Sequence, residues 1–333
     1  MLSYIIGRLM RMIPQLFLVS LLAFIIIQLP PGDFLTEYVN RLQQSGTVVD
    51  EGRIQALQEM YGLDRPLYVQ YLRWIGNIVT RLDFGRTPQR NEPVRDIITN
   101  RLAYTFGIAF GSYLFTLAVA IPIGIYVAVK QYSVGDYAFT VLGFFGLAVP
   151  GFLLAMVVMY FAYTRFGIKV GGLFSPEYVL EPWSWEKVVD LLKHIWVPII
   201  IIGVNGTANM IRTMRATMLD ELRKPYVTVA RAKGLSGMQV LMRYPVRLAI
   251  NPIISSTMWL LPYLFSGGMV AEIVLNLPTA GPSMYSALMG QDMYLAGAYV
   301  LIIGVLTSLG ALLSDVLLAL VDPRIRFGGV EAS

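Results

Sequence analysis

The chain has 333 residues, of which 56% are hydrophobic and only 14% charged, with a formal net charge of +5. That charge content, against about 25% in soluble domains, and a mean hydropathy of +0.61 exclude an ordinary soluble globular protein. With no cysteine and a single histidine, His194, there is no disulfide framework, no thiolate chemistry and no histidine-built metal centre to expect.

Uncharged apolar runs long enough to cross a bilayer recur along the sequence. The first, Ile13 to Leu29, follows Arg8 and Arg11 and ends at the turn Pro30-Pro31-Gly32-Asp33. It is too long for a signal-peptide core and no small-residue cleavage site follows it, so it is expected to stay as a span. Phe34 to Arg101 is polar and of mixed charge. Leu102 to Val129 and Tyr137 to Thr164 contain no Lys, Arg, Asp or Glu, and the turn-like Ser133-Val134-Gly135-Asp136 lies between them. His194 to Ile211, Leu248 to Ala271, and Met293 to Ser314 continuing past Asp315 to Val321 complete the series. These runs predict an all-α membrane protein with six transmembrane helices.

Basic residues favour the cytoplasmic side of a membrane. Between spans four and five lie eight of them, Arg212, Arg215, Arg223, Lys224, Arg231, Lys233, Arg243 and Arg247, against Asp220 and Glu221. Placing that connection in the cytosol also places there Arg8, Arg11, Lys130, Arg324 and Arg326, and hence both termini. The 34–101 segment is then extracytoplasmic, where a long translocated stretch counts little in the charge rule. Within it Ile54, Leu57, Met60 and Tyr61, and again Val69, Leu72, Ile75, Ile78 and Val79, fall at helical spacing, with Gly62-Leu63-Asp64-Arg65-Pro66 as the stop between them. A small helical cap over a pathway mouth and a pair of interfacial helices both fit that pattern. Trp183, Trp185 and Trp196 suit an aromatic belt.

The polar stretch from Pro225 to Pro245 is a basic island between two long apolar runs. Pro225 suits a first helical turn, Gly234 a left-handed helix end, and Ser236 with Gln239 a capping box that opens a second short helix. A compact knob of this kind in a membrane protein's loop is a place for something to dock. The chemistry it lacks narrows the reading. No G-x-x-x-x-G-K-[ST] loop is present, so the chain is not expected to hydrolyse a nucleotide, and neither H-E-x-x-H nor G-x-S-x-G occurs. No catalytic residue and no metal ligand set is therefore assigned. The basic residues lack the aromatic interleaving of a nucleic-acid surface.

Ala230-Arg231-Ala232-Lys233-Gly234-Leu235, with Arg247 and Asn251-Pro252 downstream, resembles the cytoplasmic EAA-type loop of binding-protein-dependent ABC importers. More narrowly it is similar to the dipeptide/oligopeptide permease family. The likeness continues through Gly62 to Pro66 with Gln70-Tyr71, Leu82-Asp83-Phe84-Gly85, Arg101 to Thr105, Val149-Pro150-Gly151-Phe152, Glu272 with Asn276 and Pro278, and Asp315 with Asp322-Pro323-Arg324-Ile325-Arg326. It departs where Thr228-Val229-Ala230 replaces the acidic E-A-A triplet, where Tyr244-Pro245 stands in place of a usual histidine, and where Leu275 and Pro278-Thr279-Ala280-Gly281 replace a Phe and a Pro-Gly-x-Gly. Members of this family carry peptides, oligosaccharides or nickel, and a peptide is the leading expectation here.

The resemblance implies three parts: residues 1–29, with the first span; the extracytoplasmic segment 30–101; and a permease core 102–333 that holds the coupling loop 212–247. It implies a second, related permease subunit, two cytoplasmic ATPase subunits that use ATP and Mg, an extracytoplasmic substrate-binding protein and a bacterial or archaeal cytoplasmic membrane. The chain itself binds no cofactor. Tyr226, Ala230, Arg231, Ala232, Lys233, Gly234 and Leu235 are the expected ATPase-coupling residues, with the small ones allowing close approach and the basic ones pairing with acids. Lipid contact and topology are the plainer roles for those bases. Asn205, Asn209, Ser255, Ser256, Thr257 and Glu272 are candidates for the translocation path, because polar groups inside spans are costly. Helix packing is the commoner role of such Ser and Thr residues, and Glu272 suits an outer salt bridge or cap as well as substrate contact. A stand-alone channel or secondary carrier is the rival class. It predicts paired broken helices in repeated halves with a buried charge cluster, and the sequence shows no such repeat or cluster.

Overall fold

A computed structural model describes residues 2–28, 52, 65–87, 92–257 and 268–321, and the regular structure among them is helical apart from one isolated bridge between Arg86 and Pro93. The helices are α1 (Leu2–Gln28), α2 (Leu67–Arg81), α3 (Val94–Val129), α4 (Val134–Ala148), α5 (Gly151–Phe166), α6 (Trp185–Leu222), α7 (Pro225–Ala232), α8 (Gly237–Arg243), α9 (Pro245–Ala249), α10 (Asn251–Ser256), α11 (Met269–Val274), α12 (Ala280–Met289) and α13 (Met293–Val321). Among the described residues, three stretches are long and apolar enough to cross a membrane: Val94–Val129, Trp185–Leu222 and Tyr294–Leu317. The pair α4 and α5 makes a fourth if taken as one bent span.

Two expected spans depart from a single straight helix. Tyr137 to Thr164 is broken at Val149-Pro150, and its halves are bent by 99°. Proline pushes the residue before it out of the helical region, and Val149 is extended at φ −88° and ψ 117°. Leu248 to Ala271 is likewise interrupted, as α9 gives way to α10 at Ile250, next to the donor-less Pro252. Residues 258–267 of that run lie outside the described residues, as do Ile54 to Tyr61 and Asp322 to Arg326. In the other direction, α6 extends well past His194 to Ile211 at both ends.

The chain packs as two units, residues 1–105 with 279–308 and residues 106–278 with 309–333. In the first, α2 turns Tyr71, Trp74 and Ile78 onto Phe24 of α1 and Leu301 of α13. The inward face is thus the aromatic one, and Leu72 and Val79, expected on the apolar stripe, are exposed. Tyr71 carries its hydroxyl in with it, satisfied by Ser20 Oγ at 2.8 Å. Gly85 lies at φ +89°, and a Cβ there would sit 2.7 Å from the Tyr294 ring, so the chain passes too close to α13 for a side chain. Thr105 Oγ1 donates to the Arg101 carbonyl and accepts the Ala280 N–H, each at 2.8 Å, so α3 caps the first turn of α12.

In the second unit α3 and α6 come together through small residues, the usual means of close helix contact where lipid removes the hydrophobic drive. A Cβ at Gly203 would fall 2.6 Å from the Phe115 ring and 3.1 Å from the Ser112 carbonyl. The Gly203 carbonyl accepts two hydroxyls, Thr116 at 2.9 Å and Thr207 at 2.8 Å. A cluster of Ala128, Met214, Met218, Val246, Ala249 and Ile253 then binds the far end of α6 to α3, α9 and α10. In the first turns of α6, Asp190 accepts the Ser175 N–H and hydroxyl, both at 2.7 Å, and the Lys187 ammonium lies 4.9 Å from the Phe174 ring centre and 5.6 Å from that of Trp183. His194 Nδ1 is 2.7 Å from the Asp190 carbonyl, which gives the single histidine a structural partner.

Candidate functional site: a coupling knob and the core it is tied to

The local signals between Pro225 and Pro245 fold as their chemistry dictates. Pro225 occupies the first turn of α7, Gly234 takes φ +79°, and Ser236 and Gln239 form both halves of a capping box. Val227, Ala230 and Val240 are buried against one another, with Tyr226, Leu235 and Tyr244 around them. Two short helices, each too short to be stable alone, thus share a miniature core. The Tyr226 hydroxyl donates to the Glu221 carboxylate at the end of α6, and burial followed by that carboxylate raises its pKa above the usual phenol range. The knob is therefore fixed to α6 at its entry, and at its exit α9 packs back on α6 through Val246 and Ala249.

The expected coupling residues divide by exposure. Arg231, Ala232, Lys233 and Gly234 are exposed, whereas Tyr226 and Leu235 are half-buried and Ala230 is only 4% exposed. The smallness of Ala230 lets it pack in the knob's own core. Exposed Val229, Met238 and Met242 add apolar surface that the sequence reading did not single out.

Farther along α6, Arg215 donates from Nε and Nη2 to the two carboxylate oxygens of Asp136, each at 2.8 Å. Asp136 is 3% exposed in the first turn of α4, where it also accepts the Tyr132 N–H at 3.0 Å and the Thr140 hydroxyl at 3.4 Å. In the sequence Arg215 counts only toward topology. The signal that could have found the pair is an acid opening an otherwise charge-free apolar run, which needs a partner. The fork geometry makes this a rigid strut between α6 and α4.

Cavities open within the second unit among the described residues. One, of about 250 Å³, is a half-open space between α3, α6 and α10, lined by Ser112, Tyr113, Thr116, Asn209, Thr213 and Ser256 among small and apolar residues. Another, of about 190 Å³, lies where Gly151 opens α5 beside Asn205 and Gly268. Of the candidate path residues, Asn209 and Ser256 share the first cavity and Asn205 reaches the second. Thr257 is bonded to the Tyr113 hydroxyl at 2.8 Å, and Ser255 donates to the Asn251 carbonyl at 3.1 Å. Glu272 is buried in α11, 5% exposed, beside Gly268. The six are therefore not one cluster. Ser112, Tyr113 and Thr116 of α3 were missed because hydroxyls in an apolar run read first as helix packing.

Residues 120–327 match the family described as binding-protein-dependent transport system inner membrane component, and residues 1–109 match its N-terminal region. The chain belongs to this family. It is an inner-membrane transport component, a multi-pass protein of the cytoplasmic membrane. The oligopeptide transport system permease protein AppB of Bacillus subtilis is 32% identical over 330 residues, 98% of this chain and 100% of that protein. The glutathione transport system permease protein GsiC of Escherichia coli K12 is 30% identical over 327 residues, again 98% of this chain and 100% of its own length. The family component thus resembles these transport subunits from end to end.

Proposed function

We propose that this chain is the permease subunit of an ATP-driven importer that moves small peptides handed over by an extracytoplasmic binding protein. It crosses the membrane six times with both termini in the cytosol, and it catalyses nothing itself. The knob docks on a separate cytoplasmic ATPase, one of two that use ATP and Mg, and the translocation path forms against a second, homologous permease subunit. The observation that carries this reading is the self-contained, capped knob anchored at both ends to α6. Motion of the partner ATPase would pass from the exposed Arg231 to Gly234 edge into α6, and from α6 through Arg215 to Asp136 and α4. Peptide cargo follows from end-to-end likeness to subunits named for oligopeptide and glutathione transport. Reconstitution in proteoliposomes with its ATPase, second permease and binding protein tests it. ATP-dependent uptake of a tripeptide that stops when this chain is omitted is the expected result. Uptake that persists without ATP, or an importer that moves an oligosaccharide and no peptide, overturns it.

A further inference from the structure

We infer that the cavity between α3, α6 and α10 is a side-chain pocket that receives an apolar side chain of the transported peptide. The inference rests on the peptide-importer reading and adds to it a preference the permease itself imposes. The space, about 250 Å³, exceeds the roughly 150 Å³ that suffices for a benzene ring. It lies midway along both long helices, at residues 109–116 of α3 and 202–213 of α6, with Pro252, Ile253 and Ser256 of α10 along a third side. Gly203 and Gly206 keep one wall flat, and no lining residue carries a charge, so an ammonium or carboxylate entering would lose its water with no counter-ion.

The polar groups argue against a simple hydrocarbon occupant. Ser112 is 4% exposed, lines the cavity, and its Oγ has no hydrogen-bond partner among the described residues. Thr116 and Tyr113 are already engaged with Gly203 and Thr257, which leaves Ser112 as the group suited to a peptide N–H or carbonyl. Asn209, exposed on α6 with its Oδ1 accepting from Arg212 at 3.2 Å, adds an amide N–H donor at the same cavity. An apolar body with backbone amides beside it matches this lining. A lipid acyl chain matches only the apolar part.

The test is uptake of two probes, trialanine and Ala-Phe-Ala, by the complete importer in proteoliposomes, with the binding protein saturated. Ala109→Leu fills the cavity and is expected to lower the rate ratio of Ala-Phe-Ala to trialanine about tenfold. Gly206→Ala is the milder variant, since the added carbon would lie 3.4 Å from Thr116 Oγ1, an ordinary contact. It should lower the ratio about threefold. Ser112→Ala should slow both peptides alike, because the backbone it serves is common to them. The ratio is internal to each preparation, so poor yield of a variant does not disturb it. An unchanged ratio in both filling variants overturns the pocket. Native mass spectrometry that finds a phospholipid retained by the wild type and lost in Ala109→Leu also overturns it, in favour of an acyl chain. A wild type that moves neither probe fails the importer reading instead, which is a different outcome.

Discussion

Arg215→Ala tests how force is held within the second unit. The substitution leaves the Asp136 carboxylate, 3% exposed, with only the Tyr132 N–H at 3.0 Å and the Thr140 hydroxyl at 3.4 Å. Breaking a fully buried pair costs about 3–5 kcal/mol, mainly through the stranded charge. The Arg215 side chain is 29% exposed, so some water reaches the site and the cost drops to roughly 2–3 kcal/mol. Thermal unfolding in detergent should then show a midpoint lower by roughly 5 °C. Asp136→Asn strands no anion and should cost less. In Asp136→Leu with Arg215→Met the charges are gone together, and most of the stability should return. With Arg215→Met and Asp136→Leu as the two single variants of that cycle, their losses should exceed that of the double by a coupling energy of at least about 2 kcal/mol. Losses that add to within about 0.5 kcal/mol would show the strut to be energetically idle, and the reasoning would be wrong.

Two further outcomes follow from the first unit. Asp292 is buried, and its carboxyl is pushed up to about 6 from an ordinary 3.8 by desolvation, against the lowering effect of the Leu295 and Tyr294 N–H groups. A raised acid pKa means that the folded chain binds the extra proton, so the stability it contributes is full below about pH 4 and is lost as pH rises to 6. That loss is roughly 3 kcal/mol, and Asp292→Asn should flatten the midpoint-against-pH curve across this window. Thr105→Val removes the acceptor for the Ala280 N–H, and a stability loss of about 1–2 kcal/mol with faster amide exchange at Ala280 is expected. Unchanged exchange there would mean that α3 does not cap α12.

Legibility in the sequence followed the range of the interaction. The knob was readable residue by residue, because Pro225, Gly234, Ser236 and Gln239 act on neighbours no more than a few positions away. The long helices α3, α6 and α13 were readable too, since their apolar runs are uninterrupted. The break at Val149-Pro150 was printed in the sequence but masked by hydropathy, which averages over a single proline. Pairings between distant segments were not legible. Asp136 with Arg215 and Thr105 with Ala280 are 79 and 175 positions apart, and nothing in one stretch names its partner in the other. The inward turn of Ala230 has the same origin, because it depends on how α8 folds back over α7.

The central claim is that the exposed edge of the knob meets a separate ATPase. The chain has no native cysteine, so single cysteines can be introduced at Arg231, Lys233, Val227 and Ala230 without background. With each cysteine labelled by maleimide–benzophenone and irradiated in the assembled importer, Arg231→Cys and Lys233→Cys should crosslink to the cognate ATPase, with yields that change on ATP binding. Val227→Cys and Ala230→Cys, 1% and 4% exposed, should not. Equal yields at all four positions, or none at the exposed pair, would contradict the account.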